Sequence, residues 1–354
     1  MNKKKILYLN LSTNEKDISL GFSNSWLSKF ADKFESVDLI SLNICSNNQT
    51  EFKNVNIFGI SESEKLSRID KYLKLKNLVK DLTQKNDYSI CFSHMSPLLS
   101  IIANWYNKNN KTISILWYTH PMPKELIKKI VLYISLFFNN QIVTASESSF
   151  PYFSKKVNVI GHAIDYDAFL NKKTNISNNN FVILSRISKS KNLELSIDCF
   201  LKSKFNQDSI TVIGDAVTDA DMEYKAFLAE KYRTKNNVIF KGMIPHKELP
   251  DVLRSYSYHI NSTPPGFYDK SVLETLAAGI YNFYLNADYD KHFDSKSLKY
   301  TKFSSKQNSL TDLLNSVYEL NNNKILEIVS FAQNSVSKES VETISDRVLS
   351  TVEN

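Results

Sequence analysis

The sequence predicts an α/β chain built as two doubly wound parallel sheets, and three observations carry that prediction. Short β-branched or aromatic runs alternate with longer helical patterns almost throughout, as in βαβ units with helices on both faces of a sheet. The alternation breaks once, at "NKKTNISNNN" (171–180), whose five Asn and single large aliphatic residue read as an exposed linker. The length, 354 residues, is more than one hydrophobic core usually serves. The expected domains are therefore 1–170 and 181–324, with a helical stretch from about 325 to 354 rejoining the first. Open parallel sheets bind ligands beyond the carboxyl ends of their strands, so a cleft between the two domains is the expected site.

In order along the first half, "KILYLNL" is a strand by its β-type run and "SNSWLSKFADKF" a helix by its spacing. The basic start "MNKKK" precedes an apolar run too short for a signal peptide, with no small-residue cleavage site. "SVDLISLN" and "VNIFGI" follow as strands, "EKLSRIDKYLKLKNLVKDLTQK" as a long helix, and "YSICFSH" as the next strand. An apolar helix near 97–107, the strand "TISILWYTH", the helix "KELIKKIVLYISLFF" (124–138) and the strand "QIVTAS" complete this half. The second half opens with the strand "FVILSRI" and the helix "NLELSIDCFLKSKF", in which Leu193, Ile197, Phe200 and Leu201 keep helical spacing. "SITVIGD" is a strand ending in a turn, "DMEYKAFLAEKY" a helix, and "NVIFKGM" a strand. "ELPDVLRSY", "YHINST", the helix within "GFYDKSVLETLAAG" (266–279) and "YNFYLNA" continue the series, and 308–352 returns to helix.

Composition narrows the function classes. Hydrophobic residues at 42% and charged residues at 23% fit a folded globular chain and exclude a disordered one. No window approaches the roughly 20 apolar residues of a membrane-spanning helix. Cys45, Cys91 and Cys199 lie far apart without a CxxC pair, so neither a disulfide framework nor a zinc spacing is present, which points to a reducing, cytoplasmic setting. The net charge of +7 suits an anionic substrate or an acidic membrane surface, and Lys-rich solvated faces explain it equally. The charge is scattered and no aromatic–basic motif stands out, so nucleic acid is not an expected partner. GxGxxG, GxxxxGK[ST] and HExxH are all missing. In the helix 124–138, Lys124, Lys128 and Lys129 lie beside a broad apolar face. That face fits either peripheral attachment to an anionic bilayer or burial with a solvated edge.

Two segments of the second half can hold an anion. Arg186 ends the strand "FVILSRI", and Lys191 follows just before the next helix. A planar guanidinium and a compact ammonium at a helix amino terminus suit phosphate oxygens; a solvated Lys-rich loop is the plain alternative. In "GFYDKSVLETLAAG", Gly266 offers a turn, Asp269 or Ser271 a helix cap, and Gly279 a stop. The amides near Lys270, Ser271 and Val272 would form a second anion cradle. Glu274, in the second turn, can accept two ribose hydroxyl hydrogen bonds or lie exposed near a favourable dipole end.

Taken together, Arg186–x4–Lys191 after a strand, "VIGD", "NVIFKGMIPHKELPDVLRSYSYHINST" and "GFYDKSVLETLAAG" resemble the nucleotide-binding half of retaining GT-B glycosyltransferases. The resemblance is to the group-4 family that builds bacterial surface polysaccharides; it covers about 181–290 well and the first half more weakly. It implies two Rossmann-like domains facing across a cleft and a nucleotide-diphosphate sugar as donor. It also implies a glycan or lipid-linked acceptor hydroxyl, retention at the anomeric centre and no metal or other cofactor. Arg186 and Lys191 match the family residues that bind the donor diphosphate, and Glu274 matches the one that binds the ribose. The nucleobase would lie near "TVIGD" and "FKGM", which hold Gly214, Gly242 and Met243. One position departs: the family usually carries a Glu eight residues before the ribose Glu, where this chain has Gly266, with Asp269 and Lys270 as nearby polar substitutes.

In the first half, His120 closes "TISILWYTH" and resembles the His that many family members place beside the donor sugar. His94 closes "YSICFSH" in a similar setting, and Gly21 in "ISLGFSNS" stands where the family approaches its ligand after the first strand, without the usual double glycine. Both are assigned to the acceptor side. The Asp–x–Asp pairs Asp165–Asp167 and Asp288–Asp290 follow no nucleotide-binding strand and read as turns. A sugar-nucleotide epimerase and a non-enzymatic relative that binds a glycan or partner protein are the competing readings.

Overall fold

The computed structural model describes residues 4–13, 23–44, 52–61, 66–107, 111–176, 178–306 and 308–352. They form two compact units, Met1–Ala163 with Val341–Asn354, and Ile164–Ser340.

The first unit holds β1 (Lys5–Ser12), α1 (Ser23–Ala31), β2 (Ser36–Asn43), β3 (Val55–Ser61) and α2 (Arg68–Lys85). β4 (Tyr88–His94), α3 (Pro97–Tyr106), β5 (Ile113–Trp117), α4 (Leu126–Phe138), β6 (Gln141–Thr144) and β7 (Val157–Val159) follow. Among the described residues its strands make one parallel sheet in the order β3-β2-β1-β4-β5-β6-β7. Alternation along the strands sorts two layers. Leu7, Leu9 and Cys91 pack with Leu75 and Val79 of α2 and Leu99 and Ala103 of α3. Leu116 and Ile142, in register with them, pack with Leu132 of α4. The opposite face carries an aromatic cluster in which Trp26 and Phe30 of α1 meet Tyr8, Phe92 and Trp117.

The second unit holds α5 (Tyr166–Phe169), β8 (Phe181–Leu184), α6 (Leu193–Lys202), β9 (Ile210–Ile213), α7 (Asp219–Lys231), β10 (Val238–Gly242) and α8 (Leu249–Leu253). β11 (Tyr258–Asn261), α9 (Lys270–Ala277), β12 (Tyr281–Tyr284), α10 (Leu298–Thr301), α11 (Ser309–Tyr318) and α12 (Asn322–Val336) complete it. Its sheet is also parallel, β10-β9-β8-β11-β12. Phe181, at the centre, stacks on Tyr258 with ring centroids 4.8 Å apart and packs against Phe200 and Phe205. Such interlocked rings stabilise beyond their burial by roughly 0.5–1.5 kcal/mol per pair.

Two stretches differ from the sequence expectation. Residues 171–176 and 178–180 are not a bare tether but run along the second unit. The Asn171 amide donates to the Ala277 carbonyl at 3.3 Å, and Gln333 Nε2 donates to the Asn171 carbonyl at 3.1 Å. Lys173 donates to the Tyr256 carbonyl, and burial pushes its ammonium down to about 8. Asn-rich composition reads as linker, yet amide side chains satisfy backbone groups along a surface just as well. The helical end also divides. α12 belongs to the second unit, and only the last turns, with α13 (Ile344–Leu349), return to the first, where Glu342 pairs with Lys29 at 2.7 Å.

Candidate nucleotide site

The second sheet reverses its strand order between β8 and β11, and such a switch point splays the two following loops apart and opens a crevice. Arg186 and Lys191 lie on the loop after β8, and Gly266 to Ser271 on the loop after β11 and the start of α9. The two loops meet. Lys191 Nζ donates to Asp269 Oδ1 at 2.6 Å, with both side chains largely buried, and the ammonium lies 5.3 Å from the Phe267 ring centre. Asn192, in the left-handed conformation (φ 48°) that Asn tolerates, donates from Nδ2 to the Ser262 carbonyl at 3.0 Å. Arg186 is exposed, and its guanidinium makes no hydrogen bond or ion pair among the described residues.

Asp269 occupies the N-cap position of α9 but its side chain caps nothing. Its oxygens accept from Lys191, Asn261 Nδ2 (3.2 Å) and Thr263 Oγ1 (2.7 Å) instead. Its amide donates to the Tyr289 hydroxyl at 2.5 Å. Capping chemistry has become loop-to-loop bonding. Behind it, Tyr268 stacks on Tyr289 at 4.8 Å and donates to Glu339 Oε1 at 2.8 Å, 2.7 Å from His292 Nε2. Burial alone would push the Glu339 carboxyl up, but the His292 hydrogen bond and the Lys291 charge hold it well below the usual carboxylate range.

Glu274 is only 5% exposed. It is not the solvated helix Glu that composition allows. His246 Nε2, on the turn after β10, donates to Glu274 Oε1 at 2.9 Å, and that hydrogen bond raises the His246 pKa against desolvation. A buried carboxylate needs such a partner, because an unpaired buried charge is strongly destabilising. Around it, Val272, Leu273 and Leu276 are in the core. Thr275 Oγ1 donates to Asn282 Oδ1 at 2.9 Å, tying α9 to β12. Val272, expected at the donor, therefore turns its side chain inward, and its amide donates to the Asp269 carbonyl at 3.3 Å. Lys270 is partly buried, and desolvation pushes its ammonium down to about 8, with the Glu274 charge opposing the shift.

Gly266 has φ 96°, a region that disfavours side chains. The departure from the family Glu is thus also one of backbone shape. Gly214, with φ 140°, lies so close to β8 that a Cβ would stand 1.9 Å from the Ser185 carbonyl oxygen. Its amide donates to the Gly242 carbonyl at 2.9 Å, and Met243 beyond is exposed. Gly214→Ala is expected to cost at least about 2 kcal/mol, measured as a lowered thermal midpoint. An unchanged midpoint would contradict that packing.

In the first unit, His94 is buried at the end of β4, with its ring centre 5.0 Å from that of Trp26. His120 is exposed beyond β5, 5.9 Å from Tyr118. Gly21 lies outside the described residues. Four polar atoms at or just past the carboxyl ends of β1, β4, β5 and β6 were not singled out from sequence. Asn10 Oδ1, Ser93 Oγ, Thr119 Oγ1 and Thr144 Oγ1 are buried with no hydrogen-bond partner among the described residues. Among the described residues, no cluster of three His, Cys, Asp or Glu is arranged to hold a metal ion. Asp165 caps α5 and Asp290 pairs with Lys302 at 2.6 Å, which are turn and surface roles. His246 also escaped the sequence reading. It stands inside the quoted "GMIPHKEL", but nothing in its spacing ties it to a Glu 28 residues on.

No family model and no curated protein sequence matches the chain. Solved structures do match. The chain is similar to HepE of Anabaena, crystallised with UDP and glucose, at 15% identity and a TM-score of 0.73, with 99% of each chain covered. It is similar to a glycosyltransferase from Rickettsia africae at 12% identity and a TM-score of 0.71, with 100% of each chain covered. TarM gives 12% identity and 0.72 over 99% of each chain. At these identities the likeness carries the fold. The two parallel sheets, of seven and five strands among the described residues, match glycosyltransferase structures of GT-B type.

Proposed function

We propose that the chain is a glycosyltransferase of the retaining, group-4 kind. It moves a sugar from a nucleotide-diphosphate donor to the hydroxyl of a glycan or lipid-linked acceptor. The observation that carries this reading is the meeting of the β8 and β11 loops through Lys191 and Asp269, with the buried Glu274 in the next turn of α9. The fold likeness supports it, since HepE is crystallised with UDP, with UDP-glucose, and with UDP and glucose.

In this reading Arg186, Lys191 and Lys270 face the diphosphate, with the amides near Ser271. Glu274 takes the ribose hydroxyls, and Gly214, Gly242 and Met243 border the base. As the glycosidic bond breaks, negative charge grows on the departing phosphate. Cations fixed in place stabilise that charge more in the transition state than in the ground state. Asp269 holds Lys191 in position beside the phosphates, and Arg186 and Lys270 add charge from the same two loops. The acceptor is assigned to the carboxyl edge of the first sheet, with His94, the buried Asn10, Ser93 and Thr144, and the half-buried Thr119. His120 keeps the role beside the donor sugar that the resemblance implies.

A screen for slow hydrolysis of UDP- and GDP-sugars tests the proposal without knowledge of the acceptor. Release of nucleoside diphosphate from one donor is expected. A C2-epimerised sugar nucleotide would replace transfer by epimerisation, and inertness toward every donor would favour a non-enzymatic binder.

The Lys270 ammonium supplies a pH test. Its pKa of about 8 is lowered by desolvation, so above that value the unliganded protein is mostly neutral there. A diphosphate alongside would favour the charged form, so binding takes up a proton and affinity falls as pH rises from about 7.5 to 9.5. Calorimetry near about pH 8.5 in buffers of different ionisation enthalpy reads the uptake. Wild type should show it and Lys270→Gln should lose it; equal uptake in both would place Lys270 away from the phosphates.

A further inference from the structure

We propose that the outer face of α2, α3 and α4 docks on an anionic phospholipid bilayer. α4 is the element that argues it. Leu126, Ile127, Ile130, Tyr133, Ile134 and Phe137 follow helical spacing and form a single stripe. In an ordinary surface helix such a stripe is the buried one. Here Leu126, Ile127 and Phe137 are 70%, 76% and 70% exposed, while the inward positions are Leu132 and Ser135. Trp105 of α3, 66% exposed, packs against Phe138 with ring centroids 5.7 Å apart, so the apolar surface continues from one helix to the next. Contiguous exposed apolar surface of this kind is uncommon on monomers and marks a contact site.

Charge selects the occupant. Residues 66–156 contain 13 Lys and Arg against 5 Asp and Glu, a net of +8, whereas the whole chain carries +7. The rest of the protein is therefore close to neutral, and the excess lies on the segment that bears the apolar face. Lys76 and Lys80 of α2 sit 5.6 and 5.1 Å from the Tyr106 ring centre on α3, and Lys124, Lys128 and Lys129 border the stripe on α4. Two copies of this face would bring like charges together. A bilayer with anionic headgroups takes the lysines at headgroup level and the apolar side chains at the acyl boundary. Among the described residues no helix is long and apolar enough to cross a membrane, so the contact is peripheral. This inference is independent of the donor reading.

The chain carries its own reporter. Of its three tryptophans, Trp26 and Trp117 are fully buried and Trp105 is exposed. Titration of the full chain with vesicles of phosphatidylcholine and phosphatidylglycerol should blue-shift the Trp105 emission, and flotation should carry the protein with them. Pure phosphatidylcholine vesicles should bind weakly, and salt should weaken the mixed-vesicle binding. Ile127→Glu with Phe137→Glu alters exposed positions, so the fold should persist by circular dichroism while vesicle affinity drops at least about tenfold. Lys124→Gln with Lys128→Gln and Lys129→Gln should abolish the preference for anionic vesicles. The proposal is overturned by wild type without spectral shift or flotation, or by undiminished binding of the Glu variant. A wild-type dimer that the Glu variant dissolves, without lipid binding, would assign the face to a second copy instead.

Discussion

Arg186→Ala is expected to lower turnover with the donor sugar at least about tenfold, and Lys191→Ala by a similar factor. Tenfold corresponds to about 1.4 kcal/mol of lost transition-state stabilisation, modest for a charge-assisted hydrogen bond to phosphate, which contributes about 1.5–3 kcal/mol. The two variants should differ in kind. Arg186 is exposed and engages no partner among the described residues, so its loss should leave the thermal midpoint nearly unchanged. Lys191 neutralises the largely buried Asp269 at 2.6 Å, and removing it leaves a poorly compensated carboxylate that costs stability as well. Full activity in both variants would remove the proposed mechanism.

Glu274→Gln is expected to weaken nucleoside-diphosphate affinity by about 10- to 100-fold, the loss that follows from the proposed acceptance of ribose hydroxyls by its carboxylate. Gln keeps the volume and a hydrogen bond toward His246, so the fold should persist. Comparison with the 2′-deoxynucleotide isolates the contact. Wild type should bind it more weakly than the ribonucleotide, and the Gln variant should discriminate far less, because the cycle measures the coupling of the two groups. Equal discrimination in both proteins would assign the ribose to another residue and leave Glu274 as the structural partner of His246.

Much of the fold was legible because parallel sheets write themselves into sequence. "KILYLNL" and the "FVIL" that opens "FVILSRI" are strands buried on both faces over most of their length, so they appear as nearly continuous apolar runs, and helices of regular spacing separate them. What stayed hidden depends on long-range pairing. The described residues of the Asn-rich 171–180 are exposed or half-buried, as composition suggests, but composition does not disclose the Ala277 and Gln333 groups that meet Asn171. α4 shows an apolar stripe in either case, and only packing reveals that the stripe faces outward. At the site, Arg186, Lys191 and Glu274 were readable as residue types at loop ends and helix starts. The Asp269 bridge, the His246 partner and the Tyr268–His292–Glu339 support join positions tens of residues apart in most cases, and no local pattern encodes them. Gly266 was legible as a turn, but its positive φ came only from the folded backbone.

The most direct test is calorimetric titration of the full chain with UDP, GDP and ADP in turn. Saturable binding of at least one of them is expected at one site per chain, weakened by Arg186→Ala and by Glu274→Gln. No heat of binding with any of the three, from a protein shown to be folded, would contradict it.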